Sequence, residues 1–206
     1  MEDVLEVYAR PVDAARPLIC FDETGKDLKI DTRPPRPAVP GRPARQDTEY
    51  ERNGSANLFL ACAPHLGWRD ARVTAQRTYV DAAHALRDLV DATFPEAERI
   101  VLVTDNLNVH SPAALYQTFS PAEARRLAAR IEWHYTPTHG SWLNMAELEL
   151  SVLTRQCLDR RIADAPTLAA EVAAWVARRN AAATPIAWRF TLEVARIRLV
   201  DVYPEV

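Results

Sequence analysis

The sequence predicts an α/β fold: a mixed sheet, with a three-strand meander followed by further strands, flanked by helices. Two observations carry this. Up to residue 75 the apolar runs are strand-like and are separated only by turn formers and a Pro/Arg-rich stretch. From residue 79 onward, segments of helical periodicity alternate with two more strand-like runs, the pattern of a sheet covered by helices. The chain has 206 residues, 48% of them hydrophobic, which suffices for one sizeable core.

Residues 17–23, PLICFDE, read as a short apolar strand that ends in two acids. Residues 57–63 (NLFLACA) and 71–75 (ARVTA) are strand-like and joined by PHLGWRD, whose Pro64 and Gly67 predict a hairpin. Residues 79–94 place Val80, Ala83, Leu86, Leu89 and Val90 at helical spacing, and Pro95 follows as a stop. The run IVLVT at 100–104 has the composition of a strand buried on both faces, and it leads straight into Asp105-Asn106. Ser111-Pro112 and Ser120-Pro121 each set an N-cap before a proline at the first helical position, and Ser120 with Glu123 spells a capping box. Residues 131–136 (IEWHYT) form the next strand. A polar loop, PTHGSWLN, precedes a helix over 145–158, and an Ala-rich helix covers 167–183. The expected layout is therefore a lead-in at 1–16, a domain over 17–183 and a tail at 184–206. Gly25, Gly41, Gly54, Gly67 and Gly140 all fall in predicted turns, and none has a nucleotide-binding spacing.

A net charge of −3 argues against a protein that coats nucleic acid by bulk charge, so any basic surface must be local. The one plainly basic strip is DTRPPRPAVPGRPARQ at 31–46, where Arg33, Arg36, Arg42 and Arg45 face the single acid Asp31 and five prolines favour extended chain. It reads either as a solvated loop or as an arm that tracks phosphates or clamps a partner. Cys20, Cys62 and Cys157 are odd in number, far apart and set in apolar surroundings. That pattern fits buried thiols in a reducing compartment, not a disulfide framework or a zinc site. There is no apolar run of membrane-spanning length, and the acidic start from Met1 to Arg10 lacks the layout of a signal peptide. The expectation is a cytoplasmic protein with no membrane partner and no small-molecule cofactor.

Three acids sit where a folded core would not choose them. Asp22 ends the first strand, Asp105 ends the most buried one, and Glu147 lies in the first turn of a helix after a polar loop. Ligand sites in open α/β sheets gather at the carboxyl ends of strands, so Asp22 and Asp105 share a rim if their strands are neighbours. Acids gathered there repel one another unless a hard cation such as Mg²⁺ neutralises them, and such a cluster suits phosphoryl transfer. Each acid also has a structural use: Asp22-Glu23 as a turn opener before Gly25, Asp105-Asn106 as an Asx turn, and Glu147 as the N3 residue of a capping box on Asn144. His110, His134 and His139 match no standard zinc spacing, and no G-x-S-x-G elbow supports a serine hydrolase.

At DNLNVHSPAALY (105–116) and HYTPTHGSWLNMAELELSVLTRQCLDRR (134–161) the sequence resembles the mariner superfamily of DDE transposases, in its bacterial insertion-sequence branch. CFDET (20–24) resembles that family's first catalytic block, and PGRPAR (40–45), NGSANLFL (53–60) and RNAAATPIAWRFT (179–191) resemble its connecting segments. The resemblance implies a ribonuclease-H-like fold, two Mg²⁺ ions per site, with Mn²⁺ as a substitute, and catalytic acids at Asp22, Asp105 and Glu147. On this reading the three carboxylates face one cleft within metal-bridging range. The 41 residues between Asp105 and Glu147 exceed the spacing usual for the wider superfamily, and the helices within 111–130 absorb the excess.

The implied activity is DNA strand cleavage and strand transfer at transposon ends. Its partners are transposon-end and target DNA and a second copy of the chain, and its place is the bacterial cytoplasm, on the nucleoid when bound. Asn106, Asn108, His110 and Trp142 are candidates for orienting the acids or touching DNA, and Arg33, Arg36, Arg42 and Arg45 for touching phosphate. The rival readings are a hydrolysis-only endonuclease of the same fold and an inactive remnant that binds DNA or a partner. The resemblance also implies an N-terminal helix-turn-helix region. Since about twenty residues precede Asp22, the expectation is a trimmed domain or a truncated reading frame.

Overall fold

Alternating apolar residues in the first third of the chain build a long antiparallel meander. In the computed structural model, which describes residues 1–199 apart from the Asn108 side chain, β1 (Leu18–Asp31) pairs with β2 (Tyr50–Ala63), and β2 with β3 (Trp68–Thr74). The β2–β3 turn needs its glycine. Gly67 has φ +64, and a Cβ there would lie 2.4 Å from the carbonyl of Ala183. Two parallel strands complete the sheet. β4 (Ile100–Thr104) lies beside β1 and β5 (Ile131–Tyr135) beside β4, giving the order β3-β2-β1-β4-β5. Every residue of β4 is buried, as expected of a parallel strand with helices on both faces.

Period-two alternation divides the sheet into two cores. Leu18, Cys20, Leu58, Leu60, Cys62, Val101 and Val103 face α1 (Glu2–Tyr8), α5 (Met145–Leu153) and α6 (Ala165–Ala182). Ile19, Phe21, Phe59, Ala61, Ile100 and Leu102 face α2 (Tyr79–Asp88), α3 (Pro112–Thr118) and α4 (Pro121–Ala129). Fully burying each of the larger side chains is worth about 1.5–3 kcal/mol, which sets the register firmly, because a one-residue slip would exchange the two faces. At β3 the side chain of Asn180 on α6 accepts from Arg69 N–H at 2.8 Å and donates to Arg69 C=O at 2.7 Å, standing in for a further strand.

Several expectations need correction. β1 does not stop at Glu23 but runs on to Asp31, so Asp22 lies inside the strand and not at its end. Gly25 and Gly54 lie within strands, not turns. Gly54 takes φ +83 where the β1–β2 register shifts across Leu28, a bulge that suits glycine. The Pro/Arg strip is not one extended segment. It doubles back at Pro40-Gly41, where Val39 and Arg42 exchange backbone hydrogen bonds and Arg36 pairs with Arg45. Arg161 closes the base of this arm by donating to Asp31 Oδ1 and to the carbonyls of Asp47, Thr48 and Glu49.

α2 and α5 each run into a π-helical turn, at Leu89–Thr93 and Thr154–Leu158. Ser120 accepts from Glu123 N–H, but the Glu123 carboxylate turns to Arg126, so half of the expected capping box forms. α1 and α7 (Leu192–Arg198) occupy the segments read as lead-in and tail; Val4, Leu5, Val7, Tyr8 and Ala195 bury into the first core. No helix among the described residues is long and apolar enough to cross a membrane.

Candidate functional site

The parallel register of β1 and β4 matches Cys20 with Val103, so two residues further on Asp22 and Asp105 stand level at one rim of the sheet. Parity puts both on the face covered by α5. Asp22 is 5% exposed. Its Oδ1 accepts from Glu23 N–H at 2.8 Å and its Oδ2 from Asn144 Nδ2 at 3.1 Å. Burial pushes the Asp22 carboxyl up to about 7; the Glu23 N–H opposes the rise, and the charges of Glu147, Asp105 and Glu23 add to it. A group so placed gains from any cation that replaces its proton.

Asp105 opens an Asx turn, its Oδ1 accepting from Leu107 N–H at 3.2 Å. The same oxygen lies 2.6 Å from His110 Nδ1. Partial burial acts to raise Asp105, but the hydrogen bond and charge of His110 outweigh it and hold the carboxyl below its usual range. His110 is fully buried in the short 3₁₀ turn Asn108–His110 and lies edge-on to the Phe21 ring. Its Nε2 is 2.7 Å from Glu23 Oε2, a buried ion-pair contact. Burial would lower the His110 pKa; the two carboxylates win and raise it to about 9.

Glu147 reaches the rim from α5. The preceding loop takes φ +62 at His139 and makes a 3₁₀ turn at Ser141–Leu143. Buried Asn144 then caps α5, accepting from Ala146 N–H at 3.1 Å while its Nδ2 donates to Phe21 C=O at 2.9 Å and to Asp22. One amide thus fastens the helix that carries Glu147 to the strand that carries Asp22. The cap runs through Ala146 and not through a Glu147 box, and the Glu147 side chain stays on an exposed residue. Partial burial, then the charges of Asp105 and Glu23, raise its carboxyl. The three acids feel one another's charge, yet among the described residues no three His, Cys, Asp or Glu side chains already enclose a single point. Asp105 hydrogen-bonds His110, and Asp22 accepts from Asn144.

The other candidates scatter. Asn106 is exposed beside Asp105. Asn108 lies in the 3₁₀ turn, but its side chain lies outside the described residues. Trp142 is 47% exposed and leans edge-on against Phe190, two residues before Asn144. Arg33, Arg36, Arg42 and Arg45 are exposed on the arm, where Arg33 pairs with Asp47 at 3.4 Å. Asp31, at the arm's base, is nine residues from Asp22, so these arginines stand on the order of 30 Å along the ribbon from the acids. His134 bonds Asp3 and Glu132 on the far edge of the sheet. A cavity of about 260 Å³ lined by Val7, Arg10, Leu18, Leu66 and Val101 lies at the opposite end of β1 and shares no residue with the acids.

Glu23 and the double role of Asn144 are what the sequence reading missed. Alternation excluded Glu23 from the Asp22 face, and the same alternation could have pointed it at the second core, where a buried acid needs a cation.

A profile of the family described as DDE superfamily endonuclease matches residues 17–169. No curated protein sequence matches the chain. Among solved structures it is similar to the Mos1 mariner paired end complex with Mn, at 17% identity and a TM-score of 0.51, over 85% of this chain and 52% of that one. It is also similar to a pre-cleavage Mos1 transpososome, at 15% identity and a TM-score of 0.54, over 84% and 52%. The chain spans about half the length of these structures, and at such identities the likeness is one of fold: a ribonuclease-H-like mixed sheet flanked by helices.

Proposed function

Because the chain belongs to the DDE superfamily endonuclease family, we propose that residues 17–183 are the catalytic domain of a mariner-like transposase, with Asp22, Asp105 and Glu147 as its catalytic acids. The observation that carries this is that the β1–β4 register levels Asp22 with Asp105 at one rim, while the Asn144 amide ties the helix that bears Glu147 to the strand that bears Asp22. The reaction is cleavage of a phosphodiester at a transposon end, followed by attack of the freed 3′-hydroxyl on target DNA. The chain acts as a dimer in the bacterial cytoplasm.

The donor set suits a hard divalent cation. All three groups offer oxygen, and Asp22 and Glu147 are both raised by burial and by the acids around them, so their charge is uncompensated. Asp22, Asp105 and Glu147 would hold Mg²⁺, or Mn²⁺ in its place, two ions to a site. Bound ions would supply a water or hydroxyl of lowered pKa and stabilise the leaving oxygen. The residues themselves orient and repel. Asn144 holds Asp22 Oδ2 by donating to it, and His110 with Leu107 N–H fixes Asp105 Oδ1. Exposed Trp142 offers an aromatic face for an unstacked base, and Asn106 a polar edge. Arg33, Arg36, Arg42 and Arg45 track phosphate away from the scissile bond.

The test supplies the chain with Mg²⁺, a pre-cleaved duplex ending in the inverted repeat that flanks its gene, and a supercoiled plasmid. Joined product is expected. Nicked plasmid without joining assigns the rim to hydrolysis alone, and neither product in Mg²⁺ or Mn²⁺ overturns the catalytic reading in favour of a DNA-binding remnant.

A further inference from the structure

Glu23 stands next to Asp22 on β1 but points to the other side of the sheet, where its side chain is 3% exposed. A carboxylate out of water needs an opposite charge or several donors. Among the described contacts the one partner of Glu23 Oε2 is His110, whose Nε2 lies 2.7 Å away. The other side of that ring faces Asp105 Oδ1 at 2.6 Å. The ring is packed edge-on to Phe21 at a centroid distance of 5.4 Å, and its backbone is held by His110 N–H donating to Leu107 C=O at 2.9 Å. Asp105 Oδ1 is therefore bracketed by a ring nitrogen and the Leu107 N–H, and no described contact falls on Oδ2.

We propose that Glu23 and His110 are positioning residues for the rim: Glu23 fixes the His110 ring through the sheet, and the ring fixes Asp105 so that Oδ2 is the oxygen presented to a cation. One strand thus supplies both an acid for the site, Asp22, and the strut that aims the acid on its neighbour. The inference rests on the reading of Asp105 as a metal-holding residue. A purely structural pair would neutralise two buried charges and leave metal affinity alone; a strut would lose affinity with no loss of stability.

Two variants separate these. Glu23→Leu keeps the volume of a buried side chain without its charge, and Glu23→Leu with His110→Phe also keeps the ring packing, so a folding failure in one leaves the other readable. Mn²⁺ affinity of the full chain is measured by electron paramagnetic resonance beside melting in chelator, with Asp22→Asn as the control for metal at the rim. The expected result is Mn²⁺ binding roughly tenfold weaker in both variants, as for other groups that orient a ligand, with melting unchanged or raised. Affinity within twofold of the parent in a folded variant, or affinity that falls only with melting, overturns the strut. Parent binding that is unsaturable or indifferent to Asp22→Asn overturns the metal reading of the rim and the strut with it, and the flat control identifies that case.

Discussion

Asp22→Asn should stabilise the metal-free chain at neutral pH and destabilise it in acid. In the folded protein Asp22 titrates at about 7, against an ordinary 3.8. A carboxyl raised by folding holds its proton more tightly in the folded state. Its contribution is therefore harmless below the unfolded pKa and becomes steadily unfavourable as pH rises from about 4 to about 7, levelling off above. Three pKa units at about 1.4 kcal/mol each make a penalty of roughly 4 kcal/mol at pH 8. Asparagine has no charge to penalise and keeps an oxygen for Glu23 N–H, but its NH₂ would meet the Nδ2 donor of Asn144, forfeiting a bond worth about 1–2 kcal/mol. The net is a gain of about 2–3 kcal/mol at pH 8 and a loss of about 1–2 kcal/mol at pH 4. For a chain of this length that corresponds to a Tm about 5–10 °C above the parent's at pH 8. Calorimetry in chelator from pH 4 to 8 reads both signs. Parallel curves, with the variant lower throughout, would refute the argument that burial and neighbouring acids strain Asp22.

Asp105→Asn should abolish Mg²⁺-dependent DNA cleavage while leaving far-ultraviolet circular dichroism unchanged, because an amide keeps the shape and loses the charge a hard cation needs; cleavage at half the parent rate would contradict its role. Gly67→Ala should lower stability by about 2–4 kcal/mol in urea titration, since its Cβ meets immovable backbone at Ala183 and φ is positive; a loss below about 1 kcal/mol would mean that the α6 end yields. Charge removal at Arg33, Arg36, Arg42 and Arg45 together should cut the dependence of DNA affinity on salt by about 3–4 units of slope, at about 0.9 per phosphate, with little change in sequence preference; an unchanged slope would place the phosphate contacts elsewhere.

Much of the fold is written in local pattern. IVLVT, the two Ser-Pro helix starts and the Pro64–Gly67 turn each state their structure within a few residues, and all are found where the pattern puts them. What escaped depends on distant partners. β1 outruns its apolar core because β2 offers a matching edge as far as Asp31, and residues 24–31 alternate too weakly to announce a strand. α1 carries apolar residues over barely two turns, and only the core it enters makes it a helix. At the rim, position and resemblance single out the three proposed acids. The turn of Asp105 toward His110 goes with a buried contact of that ring to Glu23 that no spacing in the sequence encodes.

The Asn144 amide also sets an order of events. β1, β2 and β3 pair between neighbours in sequence, and contacts of short separation close first. Asp22 is thus in place early, whereas Asn144 reaches it only after more than a hundred intervening residues have been gathered and the loop entropy of that long closure has been met. A partly folded or still-emerging chain, with its meander formed and α5 undocked, holds one acid of the three. If the proposed site needs all three acids, docking of α5 completes it, and hydrogen exchange at the amides at the start of α5 should report the opening that undoes it.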